Sequence, residues 1–218
     1  MGEAELLPGS RQLIIHSDFF LYGDAANELL STQIANDIAD HWNEPHAKVQ
    51  VKKVWYEVWF NITGKWQQYL TPQMVYENTN PRNNYFRVEE FSELDISFVD
   101  AIGSNTGYFK LDNLLNNSTT AAHEYGHTLG LVHPYNLDIR GTGTPAIMYP
   151  RGTIVDPHFQ YDPAAAPASK GGTLNPFYRK VLQKDVDDLR LHKLSFNINN
   201  CAVVGEFSSV WHDKHVGV

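Results

Sequence analysis

Three histidines and one glycine occupy fixed positions between residues 123 and 133, and they constrain how this part of the chain folds. His123 and His127 are four residues apart, so on an α-helix, which turns about 100° per residue, they lie on one face, one turn apart. Gly130 readily adopts the left-handed conformation, so it can end that helix and turn the chain. His133 can then approach the same point from a second direction. The spacing predicts a helix that ends near Leu129 and three imidazoles that converge beside it.

The residue counts indicate which metal such a cluster would hold. The 218-residue chain contains ten histidines but a single cysteine, Cys201. One cysteine excludes an internal disulfide and a cysteine-rich zinc ribbon. Imidazole nitrogens are common Zn²⁺ ligands, and three protein ligands leave a fourth position for water, which is the catalytic arrangement. We therefore expect one catalytic Zn²⁺ ion bound by His123, His127 and His133.

Glu124 follows the first histidine directly, about 100° around the helix, so it borders the metal rather than binding it. Zinc lowers the pKa of a water molecule towards about 7, so a carboxylate placed here can take up the proton of that water. The expected chemistry is attack of water on a polarised carbonyl, followed by proton delivery from Glu124 to the leaving amine. Short His-Glu-x-x-His patterns also arise as polar surface pairs, but the glycine and the third histidine at fixed offsets argue against that alternative.

Charge and composition exclude several other classes of protein. The formal net charge is −8, whereas nucleic-acid binders and polybasic membrane-surface modules need a basic face. With 42% hydrophobic residues the chain can bury a core, and it has no apolar run of about 20 residues for a membrane span. The first residues show no recognisable signal peptide. A cytosolic protein, export by another route and a domain of a longer chain all fit this, and of these we expect secretion or export, as a monomer.

Apolar periodicity and turn residues predict an α+β fold. A central strand is expected at 13–21, followed by a helix that Asp24 caps and that runs to Asn43. Its buried face would carry Ala26, Leu30, Ile34, Ile38 and Trp42. Further strands are expected at 49–60, 65–70, 85–91, 94–101 and 108–111, with a turn at 61–64. Two more helices are expected, one to about 129 with Ser118 or Asn117 as its cap, and one at 182–194. The proline- and glycine-rich stretch 141–176 is expected to be an ordered loop region.

In its motifs the chain resembles the metzincin metallopeptidases. The eleven residues from His123 to His133 match the zinc motif of that clan in each specified position. The segment 146–150 resembles the matrixin form of its methionine turn, and 133–134 is similar to the serralysins. The segment 184–189 resembles the start of the last helix in both groups. The resemblance implies a zinc endopeptidase of the matrixin and serralysin branch, with one catalytic domain. Its upper subdomain, about 1–132, would hold a twisted mixed sheet and two helices. A small irregular lower subdomain with a C-terminal helix, about 133–218, would close the cleft.

The resemblance also implies roles for residues around the cleft. Met148 would form a hydrophobic floor beneath the metal, and Asp185 would either bond the backbone of the methionine turn or act as an ordinary cap. The protein or peptide substrate would lie extended along a sheet edge expected at 103–111, with its next side chain walled by 146–161. The substrate contacts expected from this arrangement are Tyr149, Pro150, Tyr161 and Tyr108.

The sequence departs from both groups at several points. Serralysins have a tyrosine two residues after the methionine, where this chain has Pro150, so a zinc-binding tyrosine is not implied. The second zinc site of matrixins and the calcium repeats of serralysins have no counterpart, so Ca²⁺ is possible but indicated by no motif. Two alternatives stay open, namely a catalytically dead zinc-binding homologue and an exported effector or toxin protease that acts on one specific protein. The intact Glu124 speaks against the first.

Overall fold

The computed structural model describes residues 1–91, 95–115 and 118–214. Within these residues the protein is a mixed α+β structure, as the periodicity predicts. The strands are β1 (Gly2–Leu7), β2 (Gln12–Tyr22), β3 (Lys48–Val51), β4 (Val54–Trp66), β5 (Asn83–Glu89), β6 (Phe98–Val99), β7 (Thr106–Lys110) and β8 (Cys201–Val204). The α-helices are α1 (Glu28–Asn43), α2 (Pro72–Tyr76), α3 (Thr120–Thr128) and α4 (Gln183–Asp188).

A single mixed sheet contains all of these strands. Six of them follow the order β3-β4-β2-β5-β7-β6. Strand β2 is parallel to β4 and β5, and β5 is parallel to β7, whereas β3–β4 and β6–β7 are antiparallel pairs. Strand β1 pairs with the first half of β2, β5 pairs with its second half, and β8 pairs with the other side of β1. The predicted central strand is confirmed, because β2 contacts three other strands.

Helix α1 covers one face of this sheet with the predicted apolar residues. Leu30, Ile34, Ile38 and Trp42 are all buried. The helix starts later than predicted, because the side chain of Asn27 accepts a hydrogen bond of 2.9 Å from the backbone of Leu30. The predicted cap at Asp24 is therefore wrong. Either residue type can cap a helix, and only the one next to the first turn reaches its free N–H groups.

The turn predicted at 61–64 and the strand predicted at 65–70 are wrong. The hairpin turns at Lys52 and Lys53, which have φ values of 48° and 69°, and β4 then continues through the predicted turn to Trp66. Gly64 serves a different purpose, because α1 crosses the strand at this point. A Cβ at Gly64 would lie 1.9 Å from the carbonyl oxygen of Ser31, so only glycine allows this approach.

Helix α3 lies against α1, and all nine of its residues are buried. The indole Nε1 of Trp42 donates a hydrogen bond of 3.0 Å to the carbonyl oxygen of Ala122. The ring of Tyr125 meets the Trp42 ring edge to face, and its hydroxyl lies 2.8 Å from Ser17 Oγ on β2. The helix is thereby fixed to both α1 and the central strand, which gives its histidines a rigid base.

The chain after α3 contains little regular structure up to β8. A small apolar cluster of Ile139, Val155 and Leu174 organises the predicted loop region. The helix predicted at 182–194 is shorter, because α4 ends at Asp188 and Arg190 adopts a φ of 52° before a 3₁₀ turn at Leu191–Lys193. Strand β8 then returns to the sheet, so the segment predicted as the lower subdomain also contributes a strand.

Several smaller differences complete the comparison with the sequence. The strand predicted at 94–101 is confined to β6 in the described residues, and Leu94 and Asn117 lie outside them. The predicted cap at Ser118 is wrong, because α3 begins after Thr119; Ser118 lies one residue earlier and accepts a hydrogen bond from the backbone of Thr120. The sequence did not predict β1, α2 or β8. No helix in the described ranges has both the length and the apolar character required to cross a membrane.

Candidate metal centre

Helix α3 presents His123 and His127 on the same face, one turn apart. Their ring centroids are 4.8 Å apart. The helix ends where the sequence predicts, with Leu129 as its C-cap and Gly130 at a φ of 99°. The backbone N–H of Gly130 donates a hydrogen bond of 3.0 Å to the carbonyl oxygen of His127. The N–H of Leu131 donates one of 3.0 Å to the carbonyl oxygen of Gly126. These two bonds form a Schellman motif, which satisfies the last carbonyls of the helix and reverses the chain.

The reversal brings His133 to the two helical histidines. Its Nε2 atom lies 3.0 Å from His123 Nε2 and 3.1 Å from His127 Nε2. The ligand atoms of the three residues all lie within 4.8 Å of one another. Three nitrogens at about 2.0–2.1 Å from a tetrahedral zinc ion are roughly 3.4 Å apart, so this spacing fits such an ion. The convergence predicted from the spacing of 123, 127 and 133 is present, and no other such group occurs among the described residues.

Backbone carbonyls hold the two helical imidazoles in the orientation that a metal requires. His123 Nδ1 lies 2.7 Å from the carbonyl oxygen of Ile147, and His127 Nδ1 lies 2.8 Å from that of Leu131. A carbonyl oxygen only accepts, so we assign the proton to Nδ1 in both rings. Each Nε2 atom then carries a lone pair that points to the centre of the cluster. Carbonyl partners of this kind commonly orient metal-binding histidines.

The three imidazoles are neutral at ordinary pH, which is the form that binds a metal. Burial lowers the pKa of His123 well below its usual value, and the nearby Arg179 guanidinium lowers it further. Burial also lowers the pKa of His127 to about 4 and reduces that of His133. Loss of solvent disfavours the charged imidazolium. Binding of a metal ion by these histidines therefore needs no deprotonation step near pH 7.

Glu124 lies beside the cluster and is 7% exposed. Burial raises the pKa of its carboxyl to about 8, and the charge of Arg179 partly opposes that shift. A carboxyl with a raised pKa is a stronger base in its ionised form than an exposed glutamate. It also lines the two cavities that flank the histidines. The structure thus places a buried carboxyl where the sequence predicts one, outside the group of candidate ligands.

Two cavities of about 350 Å³ each open at the histidine cluster. One extends along β6 and includes Phe98, Val99 and Ile102. The other lies on the opposite side and includes Pro150 and the side chain of Arg179. Both contain His123, Glu124 and His133. The cluster therefore lies in the middle of a cleft that continues on both sides of it.

The floor of the site contains Met148, as the resemblance implies. Met148 is 3% exposed, and a Cβ at Gly126 would lie 2.4 Å from its Sδ atom. Asp185 combines the two roles left open by the sequence. It accepts hydrogen bonds from the backbone of Leu182, as a cap, and from that of Ile147, in the methionine-containing turn. Burial raises the pKa of Asp185 to about 6.

The predicted substrate contacts have different positions in the structure. Pro150 lines the second cavity. Tyr149 is half-buried against the apolar cluster of the loop region, and its carbonyl oxygen accepts 3.1 Å from Arg179. Tyr161 is 49% exposed and lines neither cavity. Tyr108 is fully buried, and its hydroxyl donates to the carbonyl of Phe91. Tyr108 therefore exposes no surface to either cavity.

The predicted substrate edge also needs correction. The segment 103–111 contains β7, which pairs with β5 on one side and with β6 on the other. A strand with two partners has no free hydrogen-bonding edge. The strand that forms the end of the sheet near the histidines is β6.

Sequence reasoning missed Arg179 in this site. Arg179 is 4% exposed, and its Nε and Nη2 atoms donate to Thr119 Oγ1 at 3.0 and 2.8 Å. Its Nη1 atom lies 3.0 Å from His123 Nδ1, but that nitrogen donates its own proton to Ile147, so Nη1 makes its hydrogen bond to the Tyr149 carbonyl instead. The residue follows a 3₁₀ turn at Pro176–Tyr178, in a segment that carries no motif. A lone arginine in a proline-containing loop gives no sequence signal, because its position depends on contacts with distant residues.

No protein-family model matches the chain, and no curated protein sequence matches it.

Proposed function

We propose that this protein is a zinc-dependent endopeptidase of the metzincin type, nearest in its motifs to the matrixin and serralysin branch. The observation that supports it is the convergence of three Nε2 lone pairs, from His123, His127 and His133, beside the buried carboxyl of Glu124. A purely structural zinc site is normally closed by a fourth protein ligand. Within the described residues this cluster has three, and it lies in an open cleft.

The donor set suits Zn²⁺, which accepts imidazole nitrogen readily and tolerates a fourth, exchangeable position. A zinc ion held there supplies a Lewis acid that polarises a peptide carbonyl and makes water a better nucleophile. The remaining work belongs to the chain. The Ile147 and Leu131 carbonyls orient two imidazoles, Met148 packs beneath them, and Glu124 moves the proton.

Glu124 has two tasks in the proposed reaction. It takes a proton from the attacking water as the oxygen bonds to the carbonyl carbon. It then delivers that proton to the amide nitrogen as the C–N bond breaks, so that the carboxyl returns to its starting state. Its burial in the cleft favours proton uptake. The same feature favours an enzyme over a catalytically dead homologue, since a binding scaffold has no need for a buried carboxyl at this place.

We further propose that the substrate lies extended along β6. An extended peptide can add to a free strand edge by main-chain hydrogen bonds, and β6 is the terminal strand next to the histidines. The first cavity runs beside this strand, and the second continues past His133. A peptide that follows both would pass directly over Glu124.

Three variants, one of them a control, and two measurements test this proposal. The zinc content of the purified chain is measured for the wild type, Glu124→Gln, His133→Ala and the control His158→Ala. His158 is exposed and lines neither cavity. We expect one zinc per chain in the wild type, Glu124→Gln and His158→Ala. In His133→Ala we expect less zinc per chain, because one of the three proposed ligands is lost. Cleavage of a proteome-derived peptide library, followed by mass spectrometry, is expected for the wild type and His158→Ala only.

Each result can contradict a separate part of the proposal. Undiminished zinc affinity in His133→Ala would refute the third ligand. Retained cleavage by Glu124→Gln would refute the proton acceptor. Stoichiometric zinc without any cleavage by the wild type would favour the dead homologue.

A further inference from the structure

The second cavity contains two arginines, which the reaction proposed above does not use. Arg179 is buried in its inner wall, and Arg151 lies at its mouth and is exposed. The remaining charged side chain in the lining is Glu124, and the other lining residues are neutral or histidine. With Glu124 ionised, the lining carries two positive charges and one negative charge. A metal cation bound by the three histidines would add further positive charge and make the cavity more attractive to an anion.

Arg179 is held in place before any ligand arrives. Thr119, just before α3, accepts from its Nε and Nη2 atoms, and the Tyr149 carbonyl accepts from Nη1. Thr119 Oγ1 in turn donates 2.8 Å to the carbonyl of Pro176. The backbone of Lys180 donates 3.0 Å to Pro145, which ties the segment to the methionine-containing turn. A fixed guanidinium loses little conformational freedom on binding an anion, so its contribution to affinity is larger.

These contacts leave donor capacity in Arg179. A guanidinium has five N–H groups, two of them on Nη2. The recorded bonds use one N–H of Nη2, to Thr119, so a second remains. Arg151 donates from Nη2 to Asn113 at 3.3 Å, across the mouth of the cavity, and is otherwise exposed. Arg151 and Arg179 both carry a positive charge and line the same cavity. The two like charges repel each other across the cavity, and an anion between them would relieve that repulsion.

A structural role alone does not account for this arrangement. Arg179 can serve as a clamp between Thr119 and Tyr149 and as a counter-charge for Glu124, and these roles explain one buried cation. They do not explain Arg151, which contacts neither of these residues and faces the same cavity from the solvent side. Both arginines line this cavity, and a guanidinium binds a carboxylate well because it can donate two parallel N–H bonds to the two oxygens.

We propose that this cavity binds a carboxylate of the substrate residue that follows the scissile bond. The carboxylate is either an aspartate or glutamate side chain or, when that residue is the last, the C-terminal carboxylate. The assignment rests on the proposed function for the location of the scissile bond. It predicts an endopeptidase that cuts before acidic residues in the first case and a carboxypeptidase-like preference in the second.

The test compares the binding affinities of peptides that differ by one charge. Fluorescently labelled hexapeptides with Glu or Gln at position four, and with amidated C-termini, are titrated against Glu124→Gln with and without zinc. A second pair has a free or an amidated C-terminus after a central sequence without acids. We expect the favoured carboxylate peptide to bind about tenfold or more tightly than its amide partner, as for a hydrogen-bonded charge pair. The preference should persist without zinc, because the arginines carry it.

Variants locate the preference. In the Glu124→Gln background, Arg151→Gln should reduce the discrimination several-fold, whereas Arg140→Gln should leave it unchanged. Arg140 is a matched control, an exposed arginine paired with Asp138 that does not line the cavity. Arg179→Lys keeps the charge but loses the planar fork, and it should reduce discrimination provided that its melting temperature shows a folded chain. If Arg179→Lys does not fold, the effect of Arg151→Gln alone decides whether the arginines carry the preference.

The outcomes separate this inference from the proposed function. Equal binding of carboxylate and amide peptides, or no binding of either at millimolar concentration, would overturn the inference. A preference that disappears when zinc is removed, and that Arg151→Gln does not reduce, would also overturn the inference, since the carboxylate would then bind the metal. Cleavage by the wild type with no acidic or C-terminal preference refutes the inference and leaves the endopeptidase intact. Charge-selective binding without any cleavage supports the carboxylate site and refutes the peptidase.

Discussion

Replacement of Gly126 by alanine tests how the zinc-motif helix and the floor of the site fit together. Gly126 lies on α3 between the two helical histidines. A Cβ at this position would be 2.4 Å from Met148 Sδ, 3.2 Å from Met148 Cε and 3.3 Å from Trp42 Cζ2. The absence of a side chain therefore lets Met148 pack directly under the helix.

The expected cost follows from two opposing effects. Non-bonded heavy atoms are in favourable contact at about 3.5–4.0 Å, so Met148 would have to move by more than about 1 Å. Such overpacking costs about 1–3 kcal/mol. Alanine is a better helix former than glycine by about 1 kcal/mol, which offsets part of the cost. Since Trp42 blocks retreat on a second side, we expect Gly126→Ala to lower the free energy of unfolding by about 1–2 kcal/mol.

A double-mutant cycle measures this effect without reference to activity. Urea denaturation of the metal-free chain is followed for Gly126→Ala, Met148→Ala and the double variant. Met148→Ala alone is expected to cost about 2–5 kcal/mol, as for other buried methionines. In that background the clash is gone, so Gly126→Ala should become neutral or stabilising. Gly9→Ala is the control, because nothing lies within 4 Å of a Cβ there.

The cycle has one outcome that the proposed packing cannot accommodate. If Gly126→Ala costs the same amount in the wild type and in Met148→Ala, the two residues are not coupled. The close contact between helix and floor would then be wrong, whatever the zinc affinity of the variants.

Three further predictions concern the framework around the site. Gly64→Ala should lower the free energy of unfolding by about 3 kcal/mol or more, because its Cβ would meet helix backbone, while Gly9→Ala should leave stability nearly unchanged in the same denaturation assay. Asn27→Ala should cost about 1 kcal/mol as a lost helix cap, and more than Asp24→Ala; equal losses would contradict the assigned cap. Burial raises the pKa of Asp185 to about 6, so its contribution to stability is greatest below about pH 4 and falls as pH rises through 6, by about 3 kcal/mol in total. Asp185→Asn lacks this dependence, and parallel pH profiles of denaturation for the two proteins would refute it.

The elements that the sequence predicts well are those specified by local pattern. Helix α1 has apolar residues at helical spacing and ends at the predicted residue, and β2 is rich in apolar residues and lies within one residue of its predicted limits. The end of α3 follows from Gly130, which supplies the left-handed residue of its terminal motif. The histidine cluster belongs to the same class, because a helix and one turn bring all three rings together.

The elements that the sequence misplaces depend on contacts between distant segments. Gly64 suggests a turn when it is considered with its neighbours alone, yet its role is to admit α1 against the sheet. The true hairpin turn uses Lys52 and Lys53, which are residue types with no preference for left-handed backbone. Strand β8 exists because β1 offers it an edge, across almost the full length of the chain.

The site also combines features set by local sequence pattern with features set by contacts between distant segments. The candidate metal ligands and Glu124 lie within eleven consecutive residues, so a short pattern is enough to propose the reaction. The walls of the cleft come from loop segments, and hydrogen bonds such as Arg179 to Thr119 and Tyr149 fix them. Sixty residues separate Arg179 from Thr119, and no periodicity links them. Substrate preference, which depends on those walls, therefore has to be derived from the folded chain, and the paired arginines of the second cavity are the feature from which to start.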